Sequence, residues 1–419
     1  MSLRERMGRT RGSRSARPDD GMALAIVVGM TAVMFILTTM VLSLVVYQST
    51  SSSGAIARVK AFNIADAGVN AYLYELRHDT DYYLTTPTLT ARTEEGSWSV
   101  VAVPPTASTP YLTLRSSGRL DSGVASRTVI ATVRFPTFAD YMFLEDCDIG
   151  IGSGALVNGK VHSNHNISNS GRITGLATAY GTFTNLSGGK TDKGFLAGPS
   201  KVALIPFNDV KPVMDAMKAI GQRTGAAGYA GPAPAGKQGY EITFSGTSYT
   251  RRTVTGFTSS GYVVANDAVA YPIPNVGVMY FEDDIWVKGD YGLSVTVAGS
   301  ANIYVVGSLQ PTDPDSNTTM GLIADVNVSV PGQYSVIPDN MTIQAALLAR
   351  TGSVTSTYGS RQKASLTIDG SLADVQVGAF SGAFARRTYT YDSRLDLFPP
   401  PLYPTVRTDS LKVQTWVER

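Results

Sequence analysis

One cysteine, Cys147, stands in 419 residues, so no intrachain disulfide can form. That excludes a stapled scaffold and leaves a reduced compartment, or export of a chain stabilised by its core. Charged residues make up only 16% of the chain, and their sign is balanced once the first twenty residues are set aside. Those twenty hold six arginines (4, 6, 9, 11, 14, 17) against Glu5, Asp19 and Asp20, which leaves 29 basic and 30 acidic residues elsewhere. A near-neutral body lacks the phosphate-neutralising surface that nucleic acid requires, so no nucleic-acid partner is expected. No G-x-S-x-G, Walker A or Rossmann fingerprint is present.

What the chain does have is one long apolar run. No charged residue occurs from Gly21 to Ala57, and Met22 to Tyr47 is interrupted only by Thr, Ser and Gly. A helix of about 26 residues is ~39 Å long, enough for the ~30 Å hydrocarbon core. The arginine-rich flank precedes it. The positive-inside rule therefore puts the N-terminus in the cytoplasm and the body outside. The competing reading, a cleaved secretory signal, is disfavoured because the run is about twice a usual h-region and no clear A-x-A cleavage site follows it.

The helical pattern continues past the Ser/Thr patch at 49–53. Apolar residues recur at Val59, Phe62, Ala65, Val69, Leu73 and Leu76, in steps of three and four. Arg58, Lys60, Asp66 and Glu75 fall off this stripe. The expectation is one helix over 22–78, with a transmembrane half at 22–47 and an amphipathic half at 48–78 whose stripe packs on the body.

A short basic leader over 1–21, then Gly21-Met22, then an apolar helix turning amphipathic resembles the class III leader of type IV pilins. The run Lys60-Ala-Phe-Asn-Ile-Ala-Asp-Ala-Gly-Val-Asn70 resembles the A-E-A-G stretch of PilX-type minor pilins, with Asp66 where that family often has Glu. The resemblance implies cleavage between Gly21 and Met22 by a prepilin peptidase. It also implies other pilin subunits and the membrane as partners. One departure is that most pilins carry Glu at the fifth mature position, whereas cleavage here would leave Ile26 there. This subunit lacks that charge-pairing device, since a carboxylate in lipid needs a partner. A place at a filament tip would need no such pairing.

The body reads as β. Alternation in Ser97–Val103, Tyr111–Arg115 and Ser126–Arg134, with turns at Pro104-Pro105 and 118–123, predicts a small antiparallel, pilin-like sheet within 79–139. From 140 to 395, short apolar runs separated by Gly, Asn, Asp and Ser recur without helical stretches. This texture predicts a parallel β-helix, with a β-sandwich as the alternative. An insertion over 201–239 contains a helical stretch, Asn208 to Gly221. Residues 396–419 read as a C-terminal tail. Tyr389-Thr-Tyr-Asp-Ser-Arg-Leu395 and Phe398-Pro-Pro-Pro-Leu-Tyr-Pro404 resemble the close of a domain found behind PilX-like N-termini. The fold class expected is mainly β with one long N-terminal transmembrane α-helix.

Chemistry is sparse. His162 and His165 have H-x-x-H spacing but no neighbouring Cys or acid, and Asn-rich turns account for them. Glu282-Asp-Asp284 and Asp313-Pro-Asp315 do not carry a calcium-loop pattern and read as loop charges. Cys147 lacks a catalytic context and reads as a core side chain. No catalytic residue, cofactor site or metal-ligand set is assigned. The expectation is a non-catalytic minor pilin-like subunit, assembled into or priming a type IV pilus-like filament, with its β-helical body displayed at the cell surface. The alternative is a membrane-anchored cell-surface β-helix protein that binds or acts on polysaccharide. A surface glycan or host ligand would then be its partner.

Overall fold

A computed structural model describes residues 19–80, 82–105, 111–258, 260–357, 361–378, 382–406 and 411–418. The chain is mainly β with one long N-terminal apolar helix, a small antiparallel sheet and a large, curled, mostly parallel β domain.

The helix runs unbroken from Asp19 to His78. Residues 22–53 are exposed along its first half, and the body is met only from about Gly54 onward. Continuity follows from composition: no proline falls within it, and Thr31, Thr38, Thr39, Ser43, Thr50 and Ser53 turn their hydroxyls back onto carbonyls three or four residues earlier. Those polar groups are thereby satisfied inside an otherwise apolar segment.

The helix's second half lies on a five-stranded antiparallel sheet. Four strands follow in chain order: Thr88–Arg92, Gly96–Val103, Leu112–Leu120 and Ser126–Arg134. The fifth is Lys412–Glu418, which pairs antiparallel with Ser126–Arg134. Residues 396–419 are thus not a free tail, because their last strand completes the first sheet. Strict alternation of buried and open residues in Leu112–Leu120 turns Leu112, Leu114, Ser116 and Gly118 toward the helix.

The parallel domain is threaded between the fourth and fifth strands of that sheet, and it winds in two directions. Phe143–Glu145, Val161–Ser163, Ala177–Ala179 and Phe195–Ala197 pair in parallel, each one rung further outward. Residues 198–277 then carry the chain to the other end. There Gly239–Gly246 and Ser248–Thr258 form an antiparallel pair beside Asp284–Tyr291. From that end the chain winds back through Val278–Phe281, Val295–Gly299, Met320–Ala324 and Ala346–Ala349 to the end of Lys363–Asp374. This last strand pairs in parallel with Phe143–Glu145, so the first and last rungs lie side by side.

Rung lengths follow from the register. Phe143 faces Val161, Val161 faces Ala177 and Ala177 faces Phe195. On the return, Gly321 faces Ala346, and Ala346 faces Ser371. Rungs are therefore 16–18 residues in the outward half and mostly 25 in the returning half. The interior is apolar, from Val161 and Ile173 at one end to Val297, Leu322 and Leu347 at the other.

One face of the solenoid is buried on both sides. Its outer surface is covered by the helix Val210–Thr224 through Val210, Met214 and Met217, and by Phe138 and Tyr403. This explains why Val295–Gly299 and Met320–Ala324 are buried at every residue and do not alternate. The insertion expected over 201–239 is thus part of the wall.

Candidate functional site

The helix Asp19–His78 has two surfaces with different chemistry, and its docked half explains the Asp-Ala-Gly run. The residues on the sheet are Ala61, Ile64, Ala65, Val69, Tyr72, Leu73 and Leu76, all buried. Of the stripe read from sequence, Ala65, Val69, Leu73 and Leu76 lie in this contact and Phe62 packs at its margin, whereas Val59 is 59% exposed. Val59 stands off because the sheet begins to support the helix at Ala57 and Ala61, and residue 59 falls between those turns on the open side.

The approach is close because the facing residues are small. A Cβ on Gly68 would lie 2.5 Å from Ser116 Oγ and 3.0 Å from the Trp98 ring. Gly118, on the sheet, faces the helix backbone itself: a Cβ there would run into the Ala61 carbonyl and the Ala65 amide. The docked helix therefore needs Ala61 and Ala65 against Gly118, and Gly68 against Ser116 and Trp98. Their three-to-four-residue spacing is the signal by which this surface could have been found. Asp66, beside Gly68, points away and accepts from the Asn70 side chain. The Tyr72 hydroxyl donates to the Thr86 carbonyl at 2.7 Å and ties the helix end to the turn before the first strand. Burial, and next the nearby Tyr82, push the Tyr72 phenol up to about 12. Where the helix leaves the sheet, Lys60 and Glu95 form an ion pair at 2.6 Å.

From Met22 to Tyr47 the helix carries only apolar side chains and Gly with a few back-bonded hydroxyls. It is long and apolar enough to cross a membrane, with a mean hydropathy of 2.4 in its best window and none of that window buried in the body. Met22 and Ile26 are exposed on it. Gly21 lies within the helix close to its start at Asp19. Most of the basic leader, residues 1–18, lies outside the described residues.

The polar groups considered from sequence hold structural positions. His162 is buried, with Nδ1 2.9 Å from Thr178 Oγ1 and Nε2 3.1 Å from Asn164 Oδ1, and burial holds its pKa below the usual imidazole value. His165 is exposed and faces Asp146 at 4.0 Å, so the two histidines do not converge. Glu282, Asp283 and Asp284 diverge. Glu282 accepts from Tyr229 and pairs with Lys218, Asp283 accepts from the Ala233 amide, and Asp284 accepts from Asn302. Asp284, Asn302 and Asn327 form a ladder up one corner of the solenoid, each bonded to the next rung. Asp313 accepts from the Asp315 amide within its own turn. Glu145, Cys147 and Asp374 do converge, a grouping that sequence distance concealed.

No protein-family model matches the chain, and no curated protein matches it. Among solved structures, the competence-associated pilin ComZ from Thermus thermophilus is similar over 86% of this chain and 97% of that one, at 14% identity and a TM-score of 0.36. An ice-binding protein from the Antarctic ascomycete Antarctomyces psychrotrophicus is similar over 61% of this chain and 97% of that one, at 11% identity and a TM-score of 0.29.

Proposed function

We propose that this chain is a non-catalytic, minor pilin-like subunit, held in a membrane by the first half of its long helix and assembled with other pilin subunits into, or at the start of, a type IV pilus-like filament. The observation that carries the reading is the division of one unbroken helix. Its second half is locked on a small sheet by a close small-residue contact, while residues 22–47 offer an apolar surface that the body leaves uncovered. In lipid that surface meets acyl chains. In a filament it would meet the same surface of neighbouring helices, so the subunit could pass from one setting to the other without unfolding. The absence of charge at Ile26 fits a subunit whose helix does not have to pair with a neighbour's terminal amine.

In this reading residues 1–21 are a leader with the cytoplasmic charge, Gly21 and Met22 flank the cut made by a separate prepilin peptidase, and the solenoid is the displayed part at the cell surface. Mass spectrometry of protein recovered from a sheared surface fraction tests it. The expected mature chain begins at Met22 and sediments with pilin subunits. Surface protein that retains residues 1–21, or that never co-sediments with filaments, would remove the reading.

A further inference from the structure

At the corner where the solenoid's first and last rungs meet, its interior wall changes character. Glu145 and Asp374 are direct partners in the parallel register. Aligned positions in the nearer rungs are small: Ser163 and Ala179 on the outward side, Ala324 and Gly299 on the returning side. Two carboxyl groups thus stand side by side at the seam, in a column whose adjoining rungs hold small residues. The Cys147 thiol joins them, 3.4 Å from Glu145 Oε2. One ligand-type atom from each of the three residues lies within 4.8 Å of the others.

Asp374 supplies a further observation. It is 3% exposed, and its Oδ2 accepts from the Val354 amide at 2.9 Å. Its Oδ1 is buried and has no hydrogen-bond partner among the described residues. An unpartnered buried acceptor is costly, and here it sits beside a second carboxyl and a thiol. Burial raises all three: the Glu145 carboxyl well above its usual range, with Asp374's charge adding to the effect, the Asp374 carboxyl to about 7, and the Cys147 thiol upward. Among the described residues no cationic side chain forms an ion pair with Glu145 or Asp374, so the anionic forms lack a counter-charge there.

We propose that Glu145, Cys147 and Asp374 form a metal site of the zinc class that joins the first and last rungs of the solenoid. A thiolate with two carboxylates suits Zn²⁺, which accepts mixed S and O donors in a four-coordinate shell. It does not suit Ca²⁺ or Mg²⁺, which take oxygen ligands in shells of six or more. Three protein ligands leave the fourth position for water. Glu145 and Cys147 are only half-buried, which gives the ion a way in. Asp146 and Val375, next to the ligands in sequence, line a cleft of about 350 Å³ on the same corner. Binding displaces the Cys147 proton and fills the open valence of Asp374 Oδ1. The ion would staple two strands that are more than two hundred residues apart in sequence but adjacent in space, much as a disulfide would in a chain with a second cysteine.

The full chain in detergent, stripped with chelator and then dialysed against Zn²⁺, tests this. About one equivalent of zinc should remain by elemental analysis, the thermal midpoint should rise with added zinc, and millimolar Ca²⁺ should not displace it. Substitution with Co²⁺ should give thiolate-to-metal charge-transfer absorption, which C147S abolishes. C147S and D374N should each weaken zinc binding at least tenfold. D374N keeps an acceptor for the Val354 amide, and C147S changes one atom, so both are expected to fold. Retention of well under one equivalent, equal binding by wild type and both variants, or displacement by Ca²⁺ would overturn the assignment. So would a thermal midpoint indifferent to zinc, which would leave the two carboxyls simply sharing a proton.

Discussion

Arg134 and Asp140 form an ion pair at 2.7 Å, with both side chains almost wholly buried. Arg134 ends the fourth strand of the small sheet, and Asp140 lies in the crossing to the solenoid. The Arg134 guanidinium also donates through Nε to the Asp396 carbonyl, on the chain's way back. Lys412 pairs with Asp140 at 2.6 Å and with Asp396 at 2.9 Å. Both crossings between the two β units are therefore tied to one cluster of charges.

Because this pair is out of water, removing one member should cost more than the pair itself contributes. Asp140→Asn leaves the buried Arg134 guanidinium with only the more distant Asp396 carboxylate, 3.7 Å away, as counter-charge, and a loss of about 3–5 kcal/mol is expected. Replacing both with apolar residues of similar volume should cost less than either single change. Urea denaturation of the detergent-solubilised chain checks this. Single and double variants of equal stability would contradict it.

The helix dock predicts a graded response to single methyl groups. Gly118→Ala pushes a methyl into helix backbone, which cannot yield, so a loss in the range of 1–3 kcal/mol is expected. Gly68→Ala meets the Ser116 hydroxyl and the edge of Trp98, side chains with some freedom, and should cost less. Gly29→Ala has nothing within 4 Å and should leave the body's stability unchanged. Limited proteolysis of the segment 55–78 reads the dock directly. The expected order of cleavage rates is G118A, then G68A, then G29A equal to wild type.

Much of this architecture was legible in the sequence, because its signals are local. The apolar run from Met22, the three-to-four spacing up to Leu76 and the alternation of Ser126–Arg134 each declare an element on their own. The sequence does not carry long-range pairing in the same way. Nothing near Glu145 announces Asp374 as its neighbour, since parallel strands can be joined by any length of chain. The strand Lys412–Glu418 is short and follows the proline-rich segment 398–404, which reads as an end when it is in fact a crossing. Val59 shows a smaller failure: helical period gives the stripe, but only the sheet's edge decides where contact begins.

His162 gives the domain an acid sensitivity of definite sign. Burial disfavours its charged form, against opposing contributions from the Asn164 hydrogen bond and the Asp146 charge, so its folded pKa lies below the unfolded one near 6.5. Above about pH 6.5 both states are neutral and the residue adds no pH dependence. As pH falls below that value the unfolded chain takes up a proton that the folded chain refuses, and stability declines until the folded pKa is reached. His162→Gln should flatten this part of the profile. Thermal midpoints at pH 7.5 and 5.5 measure it. A drop of equal size in wild type and H162Q would assign the sensitivity to other groups.

The fifth strand of the small sheet is the last test, because it closes the domain that the solenoid interrupts. Lys412–Glu418 covers the edge of Ser126–Arg134, with Thr415 and Thr132 hydroxyls 2.7 Å apart and Glu418 paired with Arg127 at 3.0 Å. Truncation after Val406 would strip this cover, remove Lys412 from Asp140 and Asp396, and leave an open edge of nine residues. Such an edge invites pairing with another chain. Asp396 is raised by burial but held below its usual range by the Lys412 hydrogen bond and charge, so it too loses its main partner. The truncated protein should therefore show a lower denaturation midpoint and concentration-dependent association in size-exclusion chromatography. Thr415→Pro, which falls where the register already shifts between Val413 and Thr415, should be milder. A truncated chain that stays monomeric with an unchanged midpoint would mean that the sheet is held by the helix alone.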